Sequence, residues 1–247
     1  MEIHIVDHTG GARAARGLAI VIDVFRAFSL AAHAYARGVT AIVPVAAIED
    51  ARALKQAHPD WLLLGERHAR PLPGFDGGNS PAHLERFELA GRMLIHTTHS
   101  GTQGLTAATG ADEVLTGALV NAAAIVRYIR ARTPRVVTLV RMGQEAVARC
   151  EEDDLCAELL AARLRGGSPD VGGLRERLRR APSAAKFFDP ACDWAPERDF
   201  ELCTEVDVFD FVLRLDRNGM PPKLRRIDVP AGRMDADPCG PVADRTK

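Results

Sequence analysis

The feature that most constrains this chain is an alternation: short β-branched runs are separated by alanine-rich stretches of helical period. Strands with period 2 interleaved with helices of period 3.6 need a layered α/β architecture to bury both kinds of apolar face. Strands are expected at Ile3–Val6, Leu18–Asp23, Thr40–Val45, Trp61–Gly65, Arg92–Thr97, Glu113–Thr116 and Arg135–Val140. Between them, helices are expected near Ser29–Arg37, Ile48–Ala57, Pro81–Leu89, Asn121–Arg132 and Asp153–Arg165. The runs are nearly continuous in apolar residues, which points to a mixed, mostly buried sheet with flanking helices. Beyond Arg165 the pattern weakens to a short basic helix at Leu174–Arg180 and a late strand over Glu205–Leu213. Residues 1–229 are expected to form one domain, and 230–247, rich in Pro, Gly, Asp and Arg, a disordered tail.

Composition removes several classes of function. At 247 residues and 47% hydrophobic, the chain can bury a large core. Its 32 basic and 33 acidic side chains nearly cancel, so no global field draws it to nucleic acid or to an anionic membrane. No apolar stretch reaches the roughly 20 residues of a membrane span, and the N-terminus is unlike a leader, so a cytoplasmic protein is expected. The five cysteines include no C-x-x-C pair, which argues for reduced, structural thiols. A homodimer is the commonest association for such a chain.

The candidate chemistry sits where strands end. Leu18–Ile22 runs into Asp23, with Arg26 three residues on; Trp61–Gly65 runs into Glu66 and Arg67. Ligands of open α/β sheets collect outside the carboxyl ends of strands, where carboxylates can hold a hard cation or take a proton and guanidinium groups can fork onto phosphate oxygens. An Asp-Arg pair that merely ties a loop is the competing explanation.

Two glycine-rich turns follow strands: Gly74-Phe75-Asp76-Gly77-Gly78-Asn79-Ser80-Pro81, and Thr98-His99-Ser100-Gly101-Thr102-Gln103-Gly104. Either could bring backbone amides to an anion. Neither matches a P-loop or a dinucleotide fingerprint. His96 and His99 are possible metal ligands, although structural histidines are commoner. Asn121 precedes another helix and could face the same cleft. Glu151-Glu152-Asp153-Asp154 places four carboxylates in one helical turn, more than a helix dipole needs, and Mg²⁺ would relieve their repulsion.

Taken in order, Val21–Ala27, Gly65–Arg67, Gly74–Pro81, Gly101-Thr102, Asn121-Ala122 and Glu152–Ala157 resemble the 2-phosphosulfolactate phosphatase family over roughly residues 18–165. The resemblance implies a family-specific α/β fold. It also implies Mg²⁺-dependent hydrolysis of 2-phosphosulfolactate to sulfolactate and phosphate in coenzyme M biosynthesis. Carried onto this chain, it implies Asp23, Glu66, Asp76, Glu152 and Asp153 around the metal, with Asp23, Glu66 and Asp153 catalytic. Arg26, Arg67, Asn79, Ser80, Ser100, Gly101, Thr102 and Asn121 would hold a small anionic phosphorylated substrate. Many family members read Thr-Asn-Gly-Thr-Arg where this chain has His99-Ser100-Gly101-Thr102-Gln103, so the missing cation leaves room for a related phospho-hydroxy acid. A non-catalytic, regulatory anion binder on the same fold is the alternative.

Overall fold

The computed structural model describes residues 1–231, and the expected tail lies outside them but for its first two residues. Ten strands form one sheet: β1 (Glu2–Asp7), β2 (Leu18–Ile22), β3 (Ala41–Pro44), β4 (Leu62–Arg67), β5 (Arg70–Pro71), β6 (Met93–Thr97), β7 (Glu113–Gly117), β8 (Val136–Arg141), β9 (Phe211–Asp216) and β10 (Lys223–Asp228). The helices are α1 (His8–Ala14), α2 (Ala27–Ala36), α3 (Ile48–Ala57), α4 (Gly101–Ala107), α5 (Ala122–Arg132), α6 (Glu151–Leu164), α7 (Leu174–Arg179) and α8 (Glu197–Thr204). The sheet order is β1-β8-β2-β7-β9-β10-β3-β6-β4-β5.

Within this order β1, β8, β2 and β7 form one parallel block, and β3, β6 and β4 another. The β9–β10 pair joins them through antiparallel contacts, Leu115 opposite Arg214 on one side and Leu224 opposite Ile42 on the other. The mixed, helix-flanked sheet agrees with the sequence pattern.

Alternation along the strands decides what each face covers. In β2, Ala19 and Val21 turn to one core, while Leu18, Ile20 and Ile22 turn to a second core beneath α5 and α6. In the other block, Leu62, Leu64, Ile42 and Leu94 share the first core with Ala19 and Val21, whereas Val43, Leu63 and Ile95 pack under α3. One apolar core therefore runs along the same side of both blocks, with the second and third cores on the other side. At its centre is α2, with eight of its ten residues buried, as expected for a helix that is apolar nearly all round.

Two expectations are corrected. Pro81–Leu89 is not an α-helix but a single 3₁₀ turn, Ala82–Arg86. The late strand begins only at Phe211, because Asp207 has φ +60° and breaks the alternation of Val206, Val208 and Phe209. β10 and α8 were unanticipated: α8 carries Glu197, Arg198, Asp199 and Glu201, yet it buries Asp199 together with Phe200, Cys203 and Thr204. No helix among the described residues is long and apolar enough to cross a membrane.

Candidate active site

The C-terminal ends of β2, β4, β6 and β8 open onto a cavity of about 310 Å³. β2, buried at all five positions, delivers Asp23 there, and Asp23 Oδ1 accepts from the Ala27 amide at 3.2 Å. Opposite it, Asp153 Oδ1 accepts from the Val24 amide at 2.9 Å and Oδ2 from the Gly143 amide at 2.8 Å, so one carboxylate staples the β2 and β8 loops together. Glu152 lines the same wall, 3% exposed, and accepts from the Ser183 hydroxyl.

Two of these carboxylates, Asp23 and Asp153, have raised proton affinity. Burial, with Glu66 and Glu152 nearby, pushes Asp23 up to about 7, against the Ala27 amide and Lys186, which act the other way. Burial, then Asp23, then Glu152 push Asp153 well above the carboxylate range despite its two amide donors. These carboxylates line one wall, where burial opposes their ionisation, and an all-oxygen donor set is of the kind that suits a hard divalent ion.

The four acids of the first turn of α6 thus divide by direction. Glu152 and Asp153 face the cavity, while Glu151 pairs with Arg177 at 2.6 Å and Asp154 with Arg149 at 2.8 Å and Arg141 at 3.1 Å. Four adjacent positions at about 100° per residue cannot share one face.

The second wall comes from β4 and β6. Glu66 is held by two backbone donors, Ala69 to Oε2 at 2.8 Å and His99 to Oε1 at 2.7 Å. Asn79 Oδ1 accepts from His96 Nε2 at 3.1 Å; burial depresses His96 to about 4, so it is a neutral donor that leaves the Asn79 amide group for the cavity. The possible metal role of His96 gives way to this positioning one. The Ser100 hydroxyl donates to Gly143 O at 2.9 Å and accepts from the Ala146 amide at 3.0 Å, tying the β6 loop to the β8 loop.

Arg26 lines the cavity, but its guanidinium is largely committed. It pairs with fully buried Asp199 at 2.8 Å and donates to Trp194 O at 2.7 Å and Ala69 O at 3.0 Å. Asp199 also accepts from the Ser80 hydroxyl at 2.7 Å and the Ala82 amide at 2.9 Å. Ser80 is therefore part of the scaffold behind Arg26 and does not line the cavity.

Five other candidates also lie off the cavity wall. Arg67 turns back to Glu66 O, Ala46 O and the Thr97 hydroxyl. Asp76 accepts from Lys55 Nζ and the Leu63 amide, both at 2.8 Å. Gly101 packs behind Asp23, where a Cβ would stand 2.8 Å from Asp23 Oδ2. The Thr102 hydroxyl closes a turn with Thr98, and the Asn121 amide donates to Phe211 O at 3.2 Å. Gln103, the departure from the family pattern, is likewise not on the wall.

Two contributors escape sequence reasoning. Lys186 enters from the 3₁₀ turn Pro182–Phe187, and no carboxylate among the described residues is within ion-pair distance of it. Burial and then Arg26 pull its ammonium below the usual range, against Glu152 and Asp23. The only faint signal is rarity, since lysine occurs at just four positions in the chain. Asp199, on a charged segment, gives no signal at all.

Comparison with known proteins fits this geometry. A family model described as 2-phosphosulpholactate phosphatase matches residues 3–218. A Bacillus subtilis protein described as "Probable 2-phosphosulfolactate phosphatase" is 28% identical over 213 residues, 85% of this chain and 92% of that protein. Proteins with the same description from Thermotoga petrophila and Caldanaerobacter subterraneus are 31% and 34% identical, over 78% and 81% of this chain and 87% and 88% of their own lengths. In class, then, this is an enzyme, a phosphoric monoester hydrolase. More narrowly, the chain belongs to the 2-phosphosulpholactate phosphatase family.

Proposed function

We propose that the chain is a Mg²⁺-dependent phosphatase of a small acidic substrate, 2-phosphosulfolactate or a closely related phospho-hydroxy acid. The convergence of Asp23, Glu152 and Asp153 in one cavity with Lys186 supports this reading most directly. Raised proton affinities at Asp23 and Asp153 mark an uncompensated cluster of buried charge, which fits a divalent cation. Asp23, Glu152 and Asp153 would hold the ion, which when bound supplies charge neutralisation at the phosphoryl oxygens.

The chain's own groups supply the rest. The Lys186 ammonium, unpaired and partly desolvated, neutralises a non-bridging phosphate oxygen more strongly than it would in water. The Asn79 amide, oriented by His96, donates to a substrate oxygen. Glu66, clamped by two amides, keeps the β4 and β6 loops at a fixed spacing across the bound anion. Asp23, whose second carboxylate oxygen makes no hydrogen bond among the described residues, is the group placed to orient an attacking water and take its proton. A covalent role for Asp23 has less support, because Phe25 stands where the D-x-D pattern of phosphoaspartate enzymes needs a second acid.

The test is phosphate release from a panel of phosphorylated hydroxy acids with Mg²⁺ or with chelator. Hydrolysis of 2-phosphosulfolactate or a near relative, lost with chelator and restored by Mg²⁺, is expected. Turnover indifferent to chelator would overturn the metal dependence, and an acyl phosphate trapped on Asp23 by rapid quench would replace the water mechanism.

A further inference from the structure

At the mouth of the cavity a second cluster has a different donor chemistry. His68, His99 and Glu145 each offer one donor atom, and the three atoms lie within 4.8 Å of one another. They come from three loops, after β4, β6 and β8, and all three line the cavity. We propose that these residues form a separate site for a borderline-soft divalent ion such as Zn²⁺. This goes beyond the phosphatase reading and does not depend on it.

Backbone conformation is the first support. His68 and Ala69 have φ of 51° and 62°, and Glu145 and Ala146 have φ of 54° and 56°. Each non-glycine residue held left-handed costs on the order of 1 kcal/mol or more, so two loops are strained where they meet. The contact that now joins them is a His68 Nδ1 to Glu145 Oε1 hydrogen bond of 2.6 Å, with the His68 side chain 70% exposed. An exposed pair of that kind contributes too little to offset the strain.

The second support is His99. Its amide is anchored by Glu66, its ring stands edge-on to that of His68 at 4.9 Å, and its Nδ1 is buried with no hydrogen-bond partner. Two imidazoles and one carboxylate are the three-ligand set of zinc sites that keep a fourth position open, whereas the Asp23 cluster offers oxygen alone. Tetrahedral ligands at about 2.0–2.1 Å stand roughly 3.3 Å apart, so the His68–Glu145 contact must widen by less than about 1 Å. With the site on the rim, its open position is placed to take an anionic group of a ligand other than the one at the Asp23 cluster.

The experiment uses the full chain, stripped of metal and titrated with Co²⁺ in excess Mg²⁺, with visible d–d absorption as the readout, so no turnover is needed. One equivalent of Co²⁺ with the intense bands of a tetrahedral nitrogen-containing site, displaced by Zn²⁺, is expected. His68→Asn and Glu145→Gln should each weaken binding roughly ten-fold or more, whereas Asp23→Asn, which keeps an oxygen for the Ala27 amide and makes no hydrogen bond to the β8 loop, should leave it unchanged. Asn tolerates a left-handed φ, so His68→Asn removes the ligand without disturbing its loop. Absence of Co²⁺ binding under excess Mg²⁺, or binding that follows Asp23→Asn and ignores the His68 and Glu145 variants, would overturn the proposal. Either result would leave the Mg²⁺-dependent phosphatase reading to stand or fall on phosphate release.

Discussion

Replacing Asp23 by Asn should abolish turnover and, in the absence of divalent metal, make the protein more stable. Asp23 is held near 7 in the folded chain against 3.8 for an ordinary aspartate. A carboxylate raised on folding opposes stability once it must ionise: it contributes nothing adverse below its unfolded pKa, and the penalty grows as pH rises from there through the folded value. Linkage over that interval gives ~4 kcal/mol at about pH 8 but only ~2 kcal/mol at about pH 5. Asn retains an oxygen for the Ala27 amide and carries no charge to bury. With a urea slope of about 2–3 kcal/mol per M for a chain of this size, the variant's midpoint should exceed the parent's by roughly 1–2 M at about pH 8 and by much less at about pH 5. Urea titration in chelator at both pH values measures it, and added Mg²⁺ should shrink the gap by binding only the parent. An Asp23→Asn protein less stable than its parent at the higher pH, or a gap independent of pH, would refute the account of Asp23 as a strained buried charge.

Three further outcomes follow from single contacts. Asp199→Ala leaves Arg26 buried without its counter-ion and should destabilise the fold by about 3–5 kcal/mol, read by thermal or urea unfolding; near-parental stability would show that the pair is dispensable. Gly101→Ala sets a methyl 2.8 Å from Asp23 Oδ2, 2.9 Å from Ala27 Cβ and 3.1 Å from the Phe28 ring, and an overpacking loss of about 1–3 kcal/mol with reduced phosphate release is expected. Lys186→Met keeps a side chain of similar length and removes the ammonium that stands 5.1 Å from the Phe187 ring centroid, relieving its desolvation as it gives up that contact, so kcat/KM should fall by about ten-fold or more with the melting temperature little changed; unaltered kinetics would exclude Lys186 from substrate binding.

Much of the architecture was legible because its causes are local. A run of five buried apolar residues that stops at a carboxylate announces both a central strand and a functional end, and that logic placed Asp23 and Glu66 on the cavity. It failed for Arg67, which follows the same strand but turns to backbone carbonyls and Thr97, and the metal role that the family resemblance implied for Asp76 gives way to contacts with Lys55 and the Leu63 amide. The first turn of α6 showed that acids were in excess but not which two face inward, since helical geometry divides them only once Arg141, Arg149 and Arg177 are in place. Asp199 was invisible because a carboxylate on a charged helix looks solvated until its partner, 173 residues away in sequence, is known. The hairpin β9–β10 was misjudged for a similar reason: its two strands gain their places from β7 and β3, contacts no local pattern encodes.

That hairpin carries no side chain of the cavity, yet it is the hydrogen-bonded bridge between the block bearing Asp23 and the block bearing Glu66 among the described residues. The order of synthesis therefore matters. Every group that lines the cavity has been translated by Trp194, but the two halves of the sheet acquire their connecting strands only when residues 211–228 follow. A nascent chain stopped short of Phe211 would hold every cavity residue but lack the strands that hydrogen-bond the two blocks together, so full competence should arrive late in translation.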